Sequence, residues 1–326
     1  MTHQRRRDWV IHLVLIAIAG LTLLPFALVV NNSLRTNAEM DYSFFGIPHS
    51  LERMARFTWY QVSGQKERIA LKVLDETKEG VRAADVLETR MSYGEAMGRL
   101  WRQMTRGYGF AWTTLRPYML NTFFVCGMTA LGVLGIGSIS AYVFSRYPFR
   151  ARKILFVAVL SFMMIPGVLT LVPSFMLMKK LGLLNSYWVL ILPYVAGGQV
   201  FAIFLLKGFF DGLPTELFES ARLDGAGHLR LYWHIVLPLS RPIIAVVAIV
   251  NVLGSWNNFL WPFIANTDAK YHVVTSGLYL MASSDVAANR STMFAGYLLA
   301  SVPLLIMFAY TTKPFIAGVT SGAFKA

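Results

Sequence analysis

Charge is scarce in this chain. Of its 326 residues only 14% are Asp, Glu, Lys or Arg, whereas 56% are hydrophobic; soluble domains carry roughly 25% charged residues. So apolar a chain cannot hide its surface in a core of its own, and lipid is the simplest medium to cover it. Cysteine is nearly missing. Cys126 stands alone in an apolar run, which excludes a disulfide framework and a cysteine zinc site and leaves a small buried apolar residue. No Gly-x-x-x-x-Gly-Lys-Ser/Thr loop is present to cradle nucleotide phosphates. No His/Asp/Glu cluster falls at one membrane depth and no nucleophile stands with a base, so no catalytic residue and no metal ligand is assigned. The net charge of +13 alone points toward nucleic acid or an acidic surface, and its distribution decides between them.

A bilayer core of ~30 Å takes roughly 20 apolar residues of helix. Six runs qualify: Trp9 to Val30, Met119 to Phe144, Ile154 to Met178, Tyr187 to Leu206, Ile243 to Ile264 and Met293 to Thr311. None holds Asp, Glu, Lys or Arg. That argues against an ion-driven carrier, which would place ionisable relays inside its spans. The first run follows Arg5, Arg6 and Arg7 as a signal peptide does. It is too long for an h-region, however, and it ends in Pro25 and Asn31-Asn32 rather than a small-residue cleavage site, so it reads as a retained span.

Orientation follows from the short loops. With the N-terminus cytoplasmic, the inner segments hold Arg5, Arg6, Arg7, Arg146, Arg150, Arg152, Lys153, Lys207, Arg222, Arg230, Arg241, Lys313 and Lys325. The short outer loops hold only Lys179, Lys180, Lys270 and Arg290. Both termini are therefore expected inside, and the basic excess is a topology signal that excludes nucleic acid as its explanation. The organisation expected is an N-terminus and first span over 1–34, an outer polar segment over 35–117 and a core of five spans over 118–326. The core includes a cytoplasmic loop at 212–242 and a tail at 312–326. Within the outer segment, Gln65 to Met104 mixes charge with Ile69, Leu71, Val81 and Leu87, a pattern for short surface helices joined at Gly80 and Ser92-Tyr93-Gly94.

The loop between spans four and five is the most informative stretch. Pro214 and Thr215 make a helix start with Thr215 as its cap, and Glu216 and Glu219 suit the helix dipole. Gly225 and Gly227 end or bend that helix, and a second short helix runs through Tyr232 and Ile235 and stops before Pro238. The product is a helix, a glycine turn and a helix, too short and polar to span but able to press into a groove on another protein.

Glu219-Ser220-Ala221, then Gly225, then Ile235 and Leu237-Pro238, at this spacing, resembles the "EAA" loop of bacterial ABC-importer permeases, the binding-protein-dependent inner-membrane components. The form Glu-Ser-Ala-Arg-Leu-Asp-Gly-Ala is similar to that of the carbohydrate-uptake branch. Asn121-Thr122-Phe123, Ala141-Tyr142 with Arg146, and Trp256-Asn257-Asn258-Phe259-Leu260-Trp261-Pro262 add to the likeness. The tail Gly318 to Ala326 resembles that of the six-span maltose subunit. Ser220 replaces the family's first Ala, and the outer segment is longer than usual.

The resemblance implies an all-α membrane protein of six transmembrane helices, the type I ABC importer permease fold, with an enlarged helical outer segment between helices 1 and 2. It implies a non-catalytic subunit of an ATP-driven sugar or oligosaccharide importer in the bacterial cytoplasmic membrane, forming half of a pore. The expected partners are a second permease in a heterodimer, two ATPase subunits that bind ATP and Mg²⁺ in this chain's stead, an external substrate-binding protein and the lipid bilayer. Glu219, Ser220, Ala221, Asp224, Gly225 and Ala226 carry over as the ATPase-docking element, with Asp224 reading either as a charged contact or as the cap of the glycine turn. Ser321 and Gly322 in the tail are expected to reach between the ATPases. From the residues themselves, Asn251, Ser255 and Asn258 share one helix face and read either as the solute path or as inter-helix hydrogen bonds. Trp256 stands beside them and reads either as an interfacial aromatic or as a sugar-stacking group.

Overall fold

In the computed structural model of the chain, residues 2–65, 70–73, 87–283 and 289–323 are described. They are overwhelmingly helical. Helix α1 (Thr2–Ser33) is followed by α2 (Asn37–Tyr42) and α3 (His49–Val62). Strands β1 (Ala70–Val73) and β2 (Leu87–Arg90) pair antiparallel, with Ala70 opposite Arg90 and Val73 opposite Leu87. Then come α4 (Tyr93–Arg146), α5 (Arg152–Ser161), α6 (Gly167–Lys180), α7 (Trp188–Asp211), α8 (Glu216–Leu223), α9 (His228–Leu231), α10 (Leu237–Leu239), α11 (Arg241–Asn257), α12 (Leu260–Ala265), α13 (Val274–Ser283) and α14 (Arg290–Ala323).

Four helical stretches among the described residues are long and apolar enough to cross a membrane: Ile11–Ser33, α4, α7 and Arg290–Thr311. Two bent pairs bring the number to six if each counts as one span. The pair Arg152–Met164 and Gly167–Lys180 bends by 98°, and the pair His228–Leu239 and Arg241–Asn257 by 76°. The first bend has a plain cause. Proline disfavours helical geometry in the residue before it, and Ile165, before Pro166, is extended at φ −80°, ψ 115°. The uninterrupted run from Ile154 to Met178 therefore folds as two helices. The run from Ile243 to Ile264 is likewise split, because α11 ends at Asn257 and α12 begins at Leu260.

The segment after α1 differs from the expected set of short helices. Residues 70–73 and 87–90 form a ladder, and Gly80 lies outside the described residues. Ser92 does not mark a turn between helices but starts α4. Its hydroxyl accepts from the Glu95 N–H at 3.4 Å, and its own N–H donates to Glu95 Oε2 at 3.2 Å, which is a capping box. From there α4 runs 54 residues, more than twice what the bilayer core requires.

The chain divides into two compact units. The first comprises Met1–Thr114 and Leu280–Leu299. Its centre is a buried guanidinium: Arg35 donates to Asn32 Oδ1 at 3.0 Å, the Phe44 carbonyl at 2.9 Å, the Glu39 carbonyl at 2.5 Å and the Ser43 carbonyl. This gathers the backbone around α2 into a knot. Phe57 of α3 packs on Ala96 and Leu100 of α4, and Arg290 pairs with Asp41.

The second unit comprises Leu115–Tyr279 and Ala300–Ala326. Its core joins α4 (Val133, Ala141, Tyr142), α7 (Ala202, Leu206, Phe210), α8 (Phe218), the turn after α9 (Tyr232, Val236) and α11 (Ile243, Val247). Helices approach closely at two glycines of α4. A Cβ on Gly132 would stand 2.7 Å from Val195 Cγ2, and one on Gly137 would stand 2.9 Å from the Ala202 Cβ, whereas Gly135 faces open space. The Asn121-Thr122 motif fastens the start of the span: Asn121 Nδ2 donates to the Lys270 and His272 carbonyls at 2.8 Å, and Thr122 Oγ1 accepts from the Val274 N–H at 2.8 Å.

Candidate functional site

The loop between α7 and α11 folds as a helix, a glycine turn and a second helix. Thr215 is the first residue before α8 but makes no side-chain cap, contrary to expectation; it stands in helical geometry and only its carbonyl is used, by the Phe218 and Glu219 N–H groups. Glu216 and Glu219 fall in the first turn. At the other end Gly225 takes φ +78°, a left-handed conformation that side chains with a Cβ adopt rarely. The Gly225 N–H donates to the Arg222 carbonyl at 3.0 Å and the Ala226 N–H to the Ala221 carbonyl at 2.9 Å, a Schellman closure with Ala226 meeting Ala221. The turn closes through backbone groups, so the exposed Asp224 carboxylate takes no part in it.

What α8 buries and what it offers are distinct. Phe218 is buried and Ala221 and Ala226 are half-buried, all against the transmembrane core. Glu219, Ser220 and Asp224 are exposed, and beside them stand bare apolar side chains: Leu223 is 90% exposed, Leu229 77% and Trp233 61%.

Three contacts seat this element, and none was named as functional from the sequence. Arg146 closes α4, and one guanidinium nitrogen donates to the carbonyls of Phe210 at 2.6 Å and Leu213 at 2.7 Å. The first closes α7 and the second lies just beyond it, where the negative end of the helix suits a cation. The same guanidinium lies 4.2 Å from the centre of the Phe218 ring. Tyr142 bonds His228 Nδ1 at 3.1 Å, and Tyr232 bonds Ser138 Oγ at 2.7 Å. The second helix does not stop before Pro238. A π-helical turn over Tyr232–Val236, closed by the Leu237 N–H on the Tyr232 carbonyl, shifts the register so that Pro238 falls in the first turn of α10, where its missing N–H costs little.

The second region is a concavity of about 290 Å³ between α7 and α11, with Val133 of α4 in its wall. Asn251, Ser255 and Asn258 all line it, together with Tyr194, Phe201 and three glycines. Their states differ. Ser255 Oγ donates to the Asn251 carbonyl at 2.9 Å, and Asn258 Oδ1 accepts from the Trp261 N–H at 3.3 Å, capping α12. Asn251 Oδ1 is buried without a partner. Trp256 is not in the lining; it is buried edge-on against Phe123 at 5.1 Å. Trp261 is buried too, and its indole N–H donates to the Val189 carbonyl at 2.9 Å. That carbonyl lies four residues before Pro193, which has no N–H to give it. Ser321 and Gly322 stand in the last turn of α14, so the helix continues into what the sequence suggests is a tail, and residues 324–326 lie outside the described residues.

A helical membrane component with a short helix–turn–helix on one of its inter-helix loops is the class these features define. A family model described as "binding-protein-dependent transport system inner membrane component" matches residues 132–313. The chain belongs to that family. It is 36% identical over 67% of its length to the diacetylchitobiose uptake permease NgcG of Streptomyces coelicolor, covering 73% of that protein. It is 36% identical to the maltodextrin permease MalD of Streptococcus pneumoniae over 66% of this chain and 77% of that one. It is also 30% identical to the sn-glycerol-3-phosphate permease UgpE of Yersinia pestis over 68% of this chain and 79% of that one. A crystal structure of a bacterial ABC transporter importing the acidic polysaccharide alginate shares the fold, with a TM-score of 0.67 over 97% of this chain and 99% of that one, at 18% identity.

Proposed function

We propose that this chain is one half of the transmembrane pore of an ATP-driven, binding-protein-dependent importer whose solute is a sugar or oligosaccharide. A second permease completes the pore, and two ATPase subunits bind and hydrolyse ATP. An external binding protein delivers the solute. Both termini and the loop at 212–242 face the cytoplasm, as the distribution of Arg and Lys in the short loops supports. The chain itself binds no nucleotide; its part is to convert ATPase movement into movement of α4, α7 and α11.

One observation carries the reading: α8 exposes an acidic and apolar face while its other face is locked to the transmembrane core by Phe218, Arg146 and Tyr232. A displacement of α8 cannot be absorbed locally and is passed to the helices that wall the concavity. Glu219 and Asp224 supply charge for the ATPase, Leu223 and Leu229 supply apolar area, Ser220 and Gly225 allow close approach, and Ala221 and Ala226 seat the element on the core. The tail around Ser321 and Gly322 is a secondary contact. Cross-linking tests this. In a Cys126→Ser background, cysteine at Leu223 or Leu229 is expected to cross-link to the ATPase in the assembled complex, and cysteine at Tyr42 is not. Failure of both loop positions to cross-link in an assembled complex contradicts the docking role.

The likeness to a glycerol-phosphate permease favours one second reading, an importer of a phosphorylated polyol with the same docking loop. The two differ in the solute, and the concavity bears on which it is.

A further inference from the structure

The concavity between α7 and α11 carries two polar groups that the fold itself does not use. Asn251 Oδ1 and Tyr194 Oη are both buried, and neither has a hydrogen-bond partner. Buried polar atoms of that kind are few in native proteins and call for a reason. Both residues line the same space. Asn251 is held in place by a glycine: a Cβ on Gly198 would come 2.7 Å from Asn251 Nδ2 and 2.6 Å from Val133 Cγ2. That fixes the amide nitrogen side of Asn251 against α7 and leaves its oxygen as the unused end. The space itself is kept open by Gly197 and Gly254, where an added Cβ would meet no atom within 4 Å. Phe201 and the ring of Tyr194 supply flat apolar wall.

The composition of the lining is as telling as the orphan groups. Its residues are aliphatic, aromatic, glycine, proline, amide and hydroxyl, and none is Lys, Arg or His. A phosphate or carboxylate bound here would sit at membrane depth with no cation from this lining facing it, which is costly. An uncharged hydroxyl can donate to Asn251 Oδ1 and exchange a hydrogen bond with Tyr194, while the C–H face of a ring lies on the aromatic wall. A site on a transport path must also release what it binds, and two neutral hydrogen bonds are weak enough to do so.

We propose that this concavity is a transit subsite for a neutral, hydroxyl-bearing ring such as an uncharged sugar, with Asn251 and Tyr194 as its polar contacts, and that it disfavours anionic solutes. The proposal rests on the reading of the chain as half of a solute pore. It excludes the phosphorylated-polyol reading for this half.

The experiment uses the whole assembled complex without its binding protein, so that the permeases alone are probed. Saturation-transfer NMR is recorded with maltotriose and, separately, with glycerol 3-phosphate as probes. Transfer is expected to maltotriose and not to glycerol 3-phosphate. Gly254→Leu adds bulk at a position where a Cβ meets nothing within 4 Å and is expected to abolish the signal. Tyr194→Phe removes one hydroxyl and is expected to weaken binding about fivefold. In complete proteoliposomes the same Tyr194→Phe complex should show a raised half-saturation for uptake. Maltotriose transfer that Gly254→Leu leaves intact overturns the proposal, as does equal or stronger transfer to glycerol 3-phosphate. If the complex shows ATP-driven uptake while both variants bind and transport as the unmodified one does, the subsite fails and the half-pore reading stands. If no ATP-driven uptake is obtained from an assembled complex, the half-pore reading fails and the subsite with it.

Discussion

At the scale of single residues, the side chains that organise this molecule are those that take up backbone groups left over by helix ends and prolines. Arg146 is the clearest. One of its nitrogens bonds two carbonyls, at the end of α7 and just past it, and the guanidinium lies over Phe218. Arg146→Met should destabilise the second unit by about 2–4 kcal/mol, read as a lower Tm of the purified complex. Arg146→Lys should recover only part of that, because an ammonium cannot reproduce the flat guanidinium laid over Phe218. Trp261 does the same work for Pro193. Trp261→Phe leaves the Val189 carbonyl without a donor, at about 1–3 kcal/mol. Pro193→Ala restores an N–H to that carbonyl from within α7. The two substitutions should therefore be strongly non-additive, with the double variant more stable than Trp261→Phe alone in a double-mutant cycle on Tm. Additive effects would show that the indole N–H is not what the carbonyl needs. In the sequence Trp261 stood out only as part of the Trp256 to Pro262 motif, since the pairing with Val189 joins residues far apart in the chain.

At the scale of elements, local chemistry was legible where it acts within a few residues. The glycine turn after α8 was readable from Gly225, because a helix followed by a left-handed glycine needs no distant partner. The run from Ile154 to Met178 was read as one span, and the bend of 98° at Pro166 breaks it in two, because how far a proline-broken run turns depends on what each half packs against. The start of α4 was misread. Ser92-Tyr93-Gly94 has the composition of a turn, but Glu95 three residues after Ser92 makes it a capping box, a signal present in the sequence and passed over. That box is pH-dependent. Hydrogen bonds from the Ser92 side chain and backbone hold the Glu95 carboxyl below the usual glutamate range. A carboxylate depressed on folding lends its stabilisation above its unfolded pKa and loses it as pH falls through its folded one. The first turn of α4 should therefore fray in acid. Amide exchange at residues 93–96, corrected for intrinsic rates, should lose protection below the ordinary glutamate range, and Glu95→Gln should flatten that dependence. Unchanged protection into acid would contradict the box.

At the scale of the whole molecule, the apolar composition and the spacing of the loop were enough to anticipate a membrane-spanning helical chain of this family. The physical link between the loop and the concavity was not. It depends on Phe218, Tyr232 and Val247 sharing one core, and on Val133 and Val247 belonging both to that core and to the wall of the concavity. A motif reading picks out the exposed face of α8 but not the buried face that ties it to the core. On this account the ATPase moves α8, the shared core carries the movement, and the concavity opens and closes as a result. The span α1 has the opposite character: its apolar window is wholly unburied within the chain, so lipid or another subunit must cover it.

The most direct test is the ratio of solute taken up to ATP hydrolysed in proteoliposomes holding the complete transporter and its binding protein. Two variants of this chain are compared with the unmodified protein: Glu219→Lys, which reverses charge on the exposed face of α8, and Gly225→Val, which strains the left-handed turn where an added Cβ meets nothing else. Uptake per ATP should fall at least about tenfold in both, with the complex still assembled by size. Uptake per ATP at the unmodified level in both variants would contradict the claim that this loop couples the pore to its energy source.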